Sequence, residues 1–267
     1  MNLLSRILKP GILQSIIHYS TNQKIKAAIL NSRGNLENSF PSDFSEDEKE
    51  DIGAVQGCTM TSLERMIGLS RAVDWLVSNR LEGDIVECGV WKGGSMMLIA
   101  KRLLRQGLSD KNLFLFDTFE GMSAPGSEDV SNINQETAKE LLAKSDKLEG
   151  NNVWCYSSLE EVKSNLQKTG YSPEHIFYIK GKVEDTLPHD PIQKICLIRL
   201  DTDWYESTRH ELESLFDRLV IGGILIIDDY GHWSGSRKAV DEFVTQRGLK
   251  LFFNRMDYTG RIAIKTQ

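Results

Sequence analysis

Residues 194–207, KICLIRLDTDWYES, and residues 222–231, GGILIIDDYG, each run from an apolar stretch into a pair of acids: Asp201 and Asp203 in the first, Asp228 and Asp229 in the second. An unbroken apolar run of this length is the pattern of a strand covered on both faces, as in a parallel sheet. Carboxylates at the last position of such a strand do nothing for its core, so they serve something beyond the sheet edge. In an open parallel sheet, the carboxyl edge is where ligands gather.

Outward from these two stretches the same alternation of short strand and longer amphipathic helix recurs. Strands read at DIVECGV (84–90), NLFLFDTF (112–119), HIFYIKG (175–181), KICLIRLD (194–201) and GILIIDD (223–229), and helices are predicted over 94–106, 132–146, 158–169, 206–219 and 235–247. This predicts an α/β domain with a mostly parallel sheet and helices on both faces. Near the carboxyl terminus, LKLFFNRM and GRIAIKTQ are separated only by Asp257, Tyr258 and Thr259, a hairpin spacing that implies one antiparallel strand. Upstream, TSLE places Thr61 as an N-cap with Glu64 three residues on, the spacing of a capping box. Residues 1–56 lack the alternation and are expected to form a helical and loop appendage to a domain over 57–267. Their acidic cluster SEDEKED, 45–51, reads as a solvated loop or helix face.

Composition narrows the classes of partner. A chain of 267 residues with 40% hydrophobic and 26% charged content can bury a full core. Its net charge of -6 provides no basic footprint, so nucleic acid is not expected as a partner. Cys58, Cys88, Cys155 and Cys196 form no C-x-x-C pair, and Cys88 and Cys196 sit inside apolar strands, which is reduced, cytoplasmic usage. No apolar run approaches the roughly 20 residues of a transmembrane segment. The opening MNLLSRILKPGILQSIIHYS is basic and apolar but is interrupted by Pro10 and Gly11. A helix packing on this domain, or on a second copy to make a homo-oligomer, is expected there ahead of a membrane-surface helix.

Two further strand ends carry chemistry. VECGVWKGGS has Glu87, then Gly89, Gly93 and Gly94 before a helix starting near Ser95. Its spacing, E-x-G-x-x-x-G-G, lacks the dinucleotide fingerprint, and a helix amino end there favours a carboxylate or similar anion. Asp117, closing LFLFD, is placed to accept hydrogen bonds from ribose hydroxyls. If the fourth and fifth strands are neighbours, Asp201, Asp228 and Asp229 converge, and three such carboxylates repel unless a cation lies between them. All-oxygen ligation suits Mg²⁺ first, with Ca²⁺ or Mn²⁺ behind it. Asp203 is expected to cap the helix that begins near Glu206, ahead of the alternative that it supports the metal ligands. His232, in DDYGHWSGS, lies on the loop that would roof the metal, where it could contact substrate or accept a proton.

Six blocks, TMTSLERM, GDIVECGVWKGGS, LFDTFEGM, VEDTLP, LDTDWYEST and GGILIIDDYGHWSGSRKAVDEF, together resemble the macrocin O-methyltransferase family in its own order over residues 57–264. The first 55 residues contribute no block. The resemblance implies a seven-stranded class I methyltransferase (Rossmann-like) sheet and a metal-dependent enzyme that moves the methyl group of S-adenosylmethionine to a sugar hydroxyl. It implies that Glu87 and Gly89, at the turn leading to Ser95, hold the methionine end of the cofactor and that Asp117 takes its ribose. By the same likeness Gly181, Val183 and Glu184 lie along the adenine, and Thr59 and Met60 close over the cofactor. Asp201, Asp228 and Asp229 look like the family's metal ligands, with Asp201 the candidate base and His232 in reserve. The acceptor class it suggests is a small-molecule glycoside, of antibiotic or surface-polysaccharide type. A metal-dependent hydrolase, a nicotinamide oxidoreductase or a non-catalytic scaffold on the same sheet are the competing readings.

Overall fold

The computed structural model describes residues 40–148 and 152–267, and the expected packing helix near the amino terminus lies outside them. The chain divides into two compact units, Met1–Lys49 and Glu50–Gln267. In chain order the elements are α1 (Glu46–Val55), α2 (Leu63–Ser78), β1 (Asp84–Cys88), α3 (Gly94–Arg105), β2 (Leu113–Asp117), α4 (Ala138–Lys144), α5 (Leu159–Gln167), β3 (Ile176–Lys180), α6 (Val183–Thr186), β4 (Ile195–Leu200), α7 (Tyr205–Leu215), β5 (Leu219–Ile227), α8 (Ser234–Gln246), β6 (Asn254–Arg255) and β7 (Arg261–Ile264). The strands form one seven-stranded sheet in the order β3-β2-β1-β4-β5-β7-β6. Only β7 opposes the others in direction, pairing antiparallel with both β5 and β6. This is the fold class expected from the alternation and the terminal hairpin.

Register sorts the side chains onto two faces. Val86, Cys88, Phe114, Phe116, Ile198, Leu200, Leu225 and Ile227 share one buried cluster with Leu212 and Leu215 of α7 and Val240 and Phe243 of α8. The alternate residues, among them Glu87 and Arg199, which are direct partners across β1 and β4, point to the opposite face. Asp228, just past β5, has the same parity, and α2 reaches it from that side through Arg65. An ion pair between Arg102 and Asp74, 2.7 Å, joins α3 to α2. The order places β1 and β4 side by side at the centre, where the chain reverses its direction of winding, so their carboxyl ends meet at the crevice of the sheet.

Several local expectations shift. The cap of α2 is Ser62, whose side chain accepts from the Arg65 amide, while Thr61 pairs its hydroxyl with that of Thr59 at 2.9 Å. The helix expected over 132–146 is confined to α4, because residues 130 and 131 are bridged to Thr137 and Trp233; its capping box is Thr137 with Glu140. The acidic cluster is helical in α1, and its last member is not solvated: Asp51 is 1% exposed and pairs with Arg105 at 2.8 Å. Of the 249–256 stretch only Asn254 and Arg255 are strand.

Candidate active site at the carboxyl ends of the strands

The centre of the site is a residue the motif reading passed over. Arg199 is buried on β4, and its Nη1 donates to Glu87 Oε1 and to Asp201 Oδ2, each at 2.6 Å, while Nη2 donates to Asp228 Oδ1 at 2.5 Å. Burial opposes its charge, but Asp201, Asp228 and Glu87 more than offset that and keep it firmly protonated. Asp228 Oδ2 accepts from Arg65 Nη1. Arg65 Nε continues to Asp257 Oδ2 at 2.9 Å, where Ser62 Oγ also donates at 2.6 Å. A charged residue inside an apolar strand is rarely without a partner, so the arginine in ICLIRL was the available signal. Arg65 carried no such signal, since it lies on an ordinary amphipathic helix.

This network changes the metal assignment. Asp228 was expected beside Asp201 and Asp229, yet both its oxygens are engaged by arginines; burial raises its pKa, but Arg199 and Arg65 outweigh that and hold it below the usual carboxylate range. The group whose oxygens lie within 4.8 Å of one another is Asp201, Asp203 and Asp229. Asp203 was expected to cap α7, but the N-cap there is Trp204, which makes no side-chain cap bond. Asp203 instead adopts a left-handed backbone, φ 68°, which costs a non-glycine residue on the order of 1 kcal/mol and persists where neighbours over-determine it. Burial pushes its carboxyl up to about 7, and Asp229 lies within hydrogen-bonding reach of it. Burial also lifts Asp201 and Asp229 well above the usual range, with the neighbouring acids adding to it. Among the described residues, Asp229 Oδ2 is buried without a hydrogen-bond partner. A cation among the three carboxylates would neutralise their repulsion.

The cofactor-side residues converge next to it. Glu87 is 1% exposed; its Oε1 is held by Arg199, its Oε2 has no partner among the described residues, and burial raises its pKa to about 7. Gly89 has φ 81°, and a Cβ there would stand 2.0 Å from the Asp201 carbonyl oxygen, so the loops after β1 and β4 touch only because the residue is glycine. No side chain caps α3, whose N-cap is Gly93. The amides of Gly94 and Ser95 are thus available to an anion. A Cβ on Gly94 would meet the Cys58 carbonyl oxygen at 2.5 Å and Thr59 Cβ at 2.7 Å, which puts the 58–60 segment directly on this helix end. Met60 there is 42% exposed.

Asp117 is more engaged than expected. Its Oδ2 accepts from the amides of Val90, 2.6 Å, and Trp91, 3.2 Å, and its Oδ1 from that of Phe119, 2.6 Å. It therefore ties the loop after β1 to the turn after β2. The Gly181 amide bonds the Asp117 carbonyl at 3.0 Å, with Val183 buried and Glu184 exposed on the following turn. His232 packs edge-on against Trp233, ring centroids 4.8 Å apart, and burial together with the Arg65 charge lowers its pKa. It is a neutral imidazole near pH 7.

A model of the Macrocin-O-methyltransferase (TylF) family matches residues 1–264. The chain belongs to the macrocin O-methyltransferase family. The match begins at residue 1, so the amino-terminal segment, which contributed no recognisable block, falls within the family's span. Among its relatives is 8-demethyl-8-(2,3-dimethoxy-alpha-L-rhamnosyl)-tetracenomycin-C 4'-O-methyltransferase of Streptomyces olivaceus, 33% identical over 76% of this chain and 73% of that one. Another is demethyldecarbamoylnovobiocin O-methyltransferase of Streptomyces niveus, 30% identical over 69% of this chain and 67% of that one. Of solved structures, the O-methyltransferase NovP is 28% identical with a TM-score of 0.68, covering 79% of this chain and 83% of that one. CalS11, a calicheamicin methyltransferase, shares the fold at 16% identity and a TM-score of 0.58 over 91% of each chain. The protein is thus an S-adenosylmethionine-dependent O-methyltransferase, and the hydrolase, oxidoreductase and scaffold readings fall away. Among the described residues no helix is long and apolar enough to cross a membrane.

Proposed function

We propose that this macrocin-type methyltransferase methylates a hydroxyl of a sugar or glycoside and does so with a divalent cation, Mg²⁺ first, held by Asp201, Asp203 and Asp229. The observation that carries the cation is the trio itself: three acidic side chains each offering an oxygen within 4.8 Å of the others, with a buried oxygen on Asp229, Oδ2, that has no hydrogen-bond partner among the described residues. When bound, such a cation supplies a Lewis acid that lowers the pKa of an adjacent hydroxyl. The sugar class is supported by the relative from Streptomyces olivaceus, which is named for a rhamnosyl-tetracenomycin.

The chain's own residues divide the remaining work. Glu87 Oε2 and the uncapped first turn of α3 suit the ammonium and carboxylate of the methionine end. Asp117 shapes the loop that borders the ribose, and the turn of Gly181, Val183 and Glu184 lies on the adenine side. Asp201 keeps Oδ2 on Arg199, which leaves Oδ1 for the cation; its side chain is 26% exposed, more than that of Glu87, Asp228 or Arg199. Asp201, beside the hydroxyl that the cation would bind, is the first candidate to take its proton. His232, neutral at pH 7, is the second candidate. The methyl transfer itself then depends mainly on in-line positioning.

Chelation tests the cation directly. Exhaustive EDTA treatment is expected to abolish turnover and added Mg²⁺ to restore it; turnover that persists through the treatment rejects the assignment. Acceptors are found by intact-mass screening of glycosides and nucleotide sugars with S-adenosylmethionine and Mg²⁺.

Asp117→Ala is expected to weaken S-adenosylhomocysteine binding and to lower the thermal midpoint together, because the carboxylate supports two loops as well as the ribose. Each charge-assisted hydrogen bond lost is worth about 1.5–3 kcal/mol before compensation. Calorimetric titration alongside thermal unfolding checks this, and an unchanged dissociation constant would leave Asp117 as a loop tie alone.

A further inference from the structure

The connection between β2 and β3 carries a buried carboxylate with no role so far. Asp129 is 1% exposed. Its Oδ1 accepts from the amide of Tyr205, the first residue of α7, at 2.8 Å, and its Oδ2 from that of Gly126 at 2.7 Å. A Cβ on Gly235, in the first turn of α8, would stand 2.0 Å from Asp129 Oδ1. One carboxylate is therefore wedged between the amino ends of two helices, where negative charge is favoured and where neither helix has a side-chain cap of its own.

Both helices follow the acidic turns: α7 starts just after Asp203 and α8 shortly after Asp229. The rest of the connection is stitched to the same turns. The Ser234 amide bonds the Val130 carbonyl at 3.0 Å, the Asn132 amide bonds the His232 carbonyl at 2.8 Å, and Trp204 Nε1 donates to the Ser123 carbonyl at 3.1 Å. Trp204 and Trp233, with ring centroids 5.0 Å apart, bury themselves with Ala138 and Leu142 of α4. Asp203, left-handed at φ 68°, needs its flanks held, and the Asp129 bond to the Tyr205 amide holds the side through which the chain leaves that turn.

We propose that Asp129 is a positioning residue that locks the β2–β3 connection onto the starts of α7 and α8 and thereby keeps Asp203 and Asp229 in the arrangement that holds a cation. The inference rests on the cation reading given under Proposed function. Its test uses the full chain with Mn²⁺ alone as probe, free ion being followed by electron paramagnetic resonance, without cofactor or acceptor. Asp129→Ala and Gly235→Ala are each expected to weaken Mn²⁺ binding by about 10- to 100-fold, the range seen when groups supporting metal ligands are removed. S-adenosylhomocysteine affinity, which draws on β1 and α3, should stay within about twofold, a change of less than 0.5 kcal/mol. The double variant should bind Mn²⁺ no worse than Asp129→Ala, since the oxygen that Gly235→Ala collides with is then gone. If Asp129→Ala does not fold, Asp129→Asn, which keeps the shape and one acceptor oxygen, carries the comparison with an intermediate loss. Unchanged Mn²⁺ affinity in a folded variant, or equal losses of Mn²⁺ and S-adenosylhomocysteine binding, overturns the role of Asp129. A wild-type protein that takes up no Mn²⁺ overturns the cation reading itself.

Discussion

Arg199→Met is expected to lower the unfolding free energy by about 3–5 kcal/mol, the cost typical of removing one partner from a buried ionic network. The side chain is 3% exposed and is hydrogen-bonded to Glu87, Asp201 and Asp228 together. Without it, Glu87 Oε1 loses its Arg199 partner, and of the two arginines on Asp228 only Arg65 remains among the described residues. Arg199→Lys should recover only part of the loss, because a single ammonium cannot reproduce the fork that reaches three carboxylates. Adding Glu87→Gln to Arg199→Met should recover a further part, since one of the uncovered charges is then removed; a strictly additive double variant would show that the two residues do not act as a pair. Urea unfolding of the wild type, Arg199→Met, Arg199→Lys, Glu87→Gln and the double variant decides between these outcomes. Cofactor affinity should fall with stability, as Glu87 is no longer oriented.

Asp201→Asn is expected to reduce the maximal rate by about 10²- to 10⁴-fold even at saturating Mg²⁺, the range associated with losing a general base. The amide can still accept from Arg199, so the fold should be little disturbed, but it cannot take up the hydroxyl proton. Asp203→Asn is the control. It touches the same trio without the base role, so it should raise the Mg²⁺ concentration needed for half-maximal activity and then recover most of the rate at saturation. Turnover against Mg²⁺, with an acceptor found by the mass screen, separates the two variants. Equal recovery would pass the base role to His232, and His232→Ala would then show the larger loss. Asp228→Asn belongs to neither class: it leaves Arg199 and Arg65 facing a neutral amide, so its main effect should be on stability.

Much of the fold was legible because its determinants are local. Five apolar runs, each bounded by a turn and followed by a helical period, mark the five parallel strands β1 to β5, and three residues between two amphipathic runs mark the hairpin that brings β7 back antiparallel. Boundaries were less so. Thr61 and Ser62 are equally good caps by type, and the choice falls on Ser62, whose hydroxyl also donates to Asp257, 195 residues away. The helix expected from residue 132 starts only at Ala138, since the Asn132 amide bonds the His232 carbonyl across the site and Ser131 bridges to Trp233.

For the active site, the amino-acid sequence by itself determined which strand ends carry acids and glycines, since hydrophobic periodicity is a property of neighbouring residues. It also contained the family blocks. Only the tertiary structure decided how those acids are divided. Asp228 and Asp229 are adjacent in sequence and chemically identical, yet one is taken by two arginines and the other is left with an unpartnered oxygen beside Asp203. The deciding partners are remote, Arg65 lying 163 residues from Asp228 and Arg199 lying 112 from Glu87. Electrostatic pairing depends on distance through space and on burial, and a linear pattern encodes neither for groups so far apart along the chain.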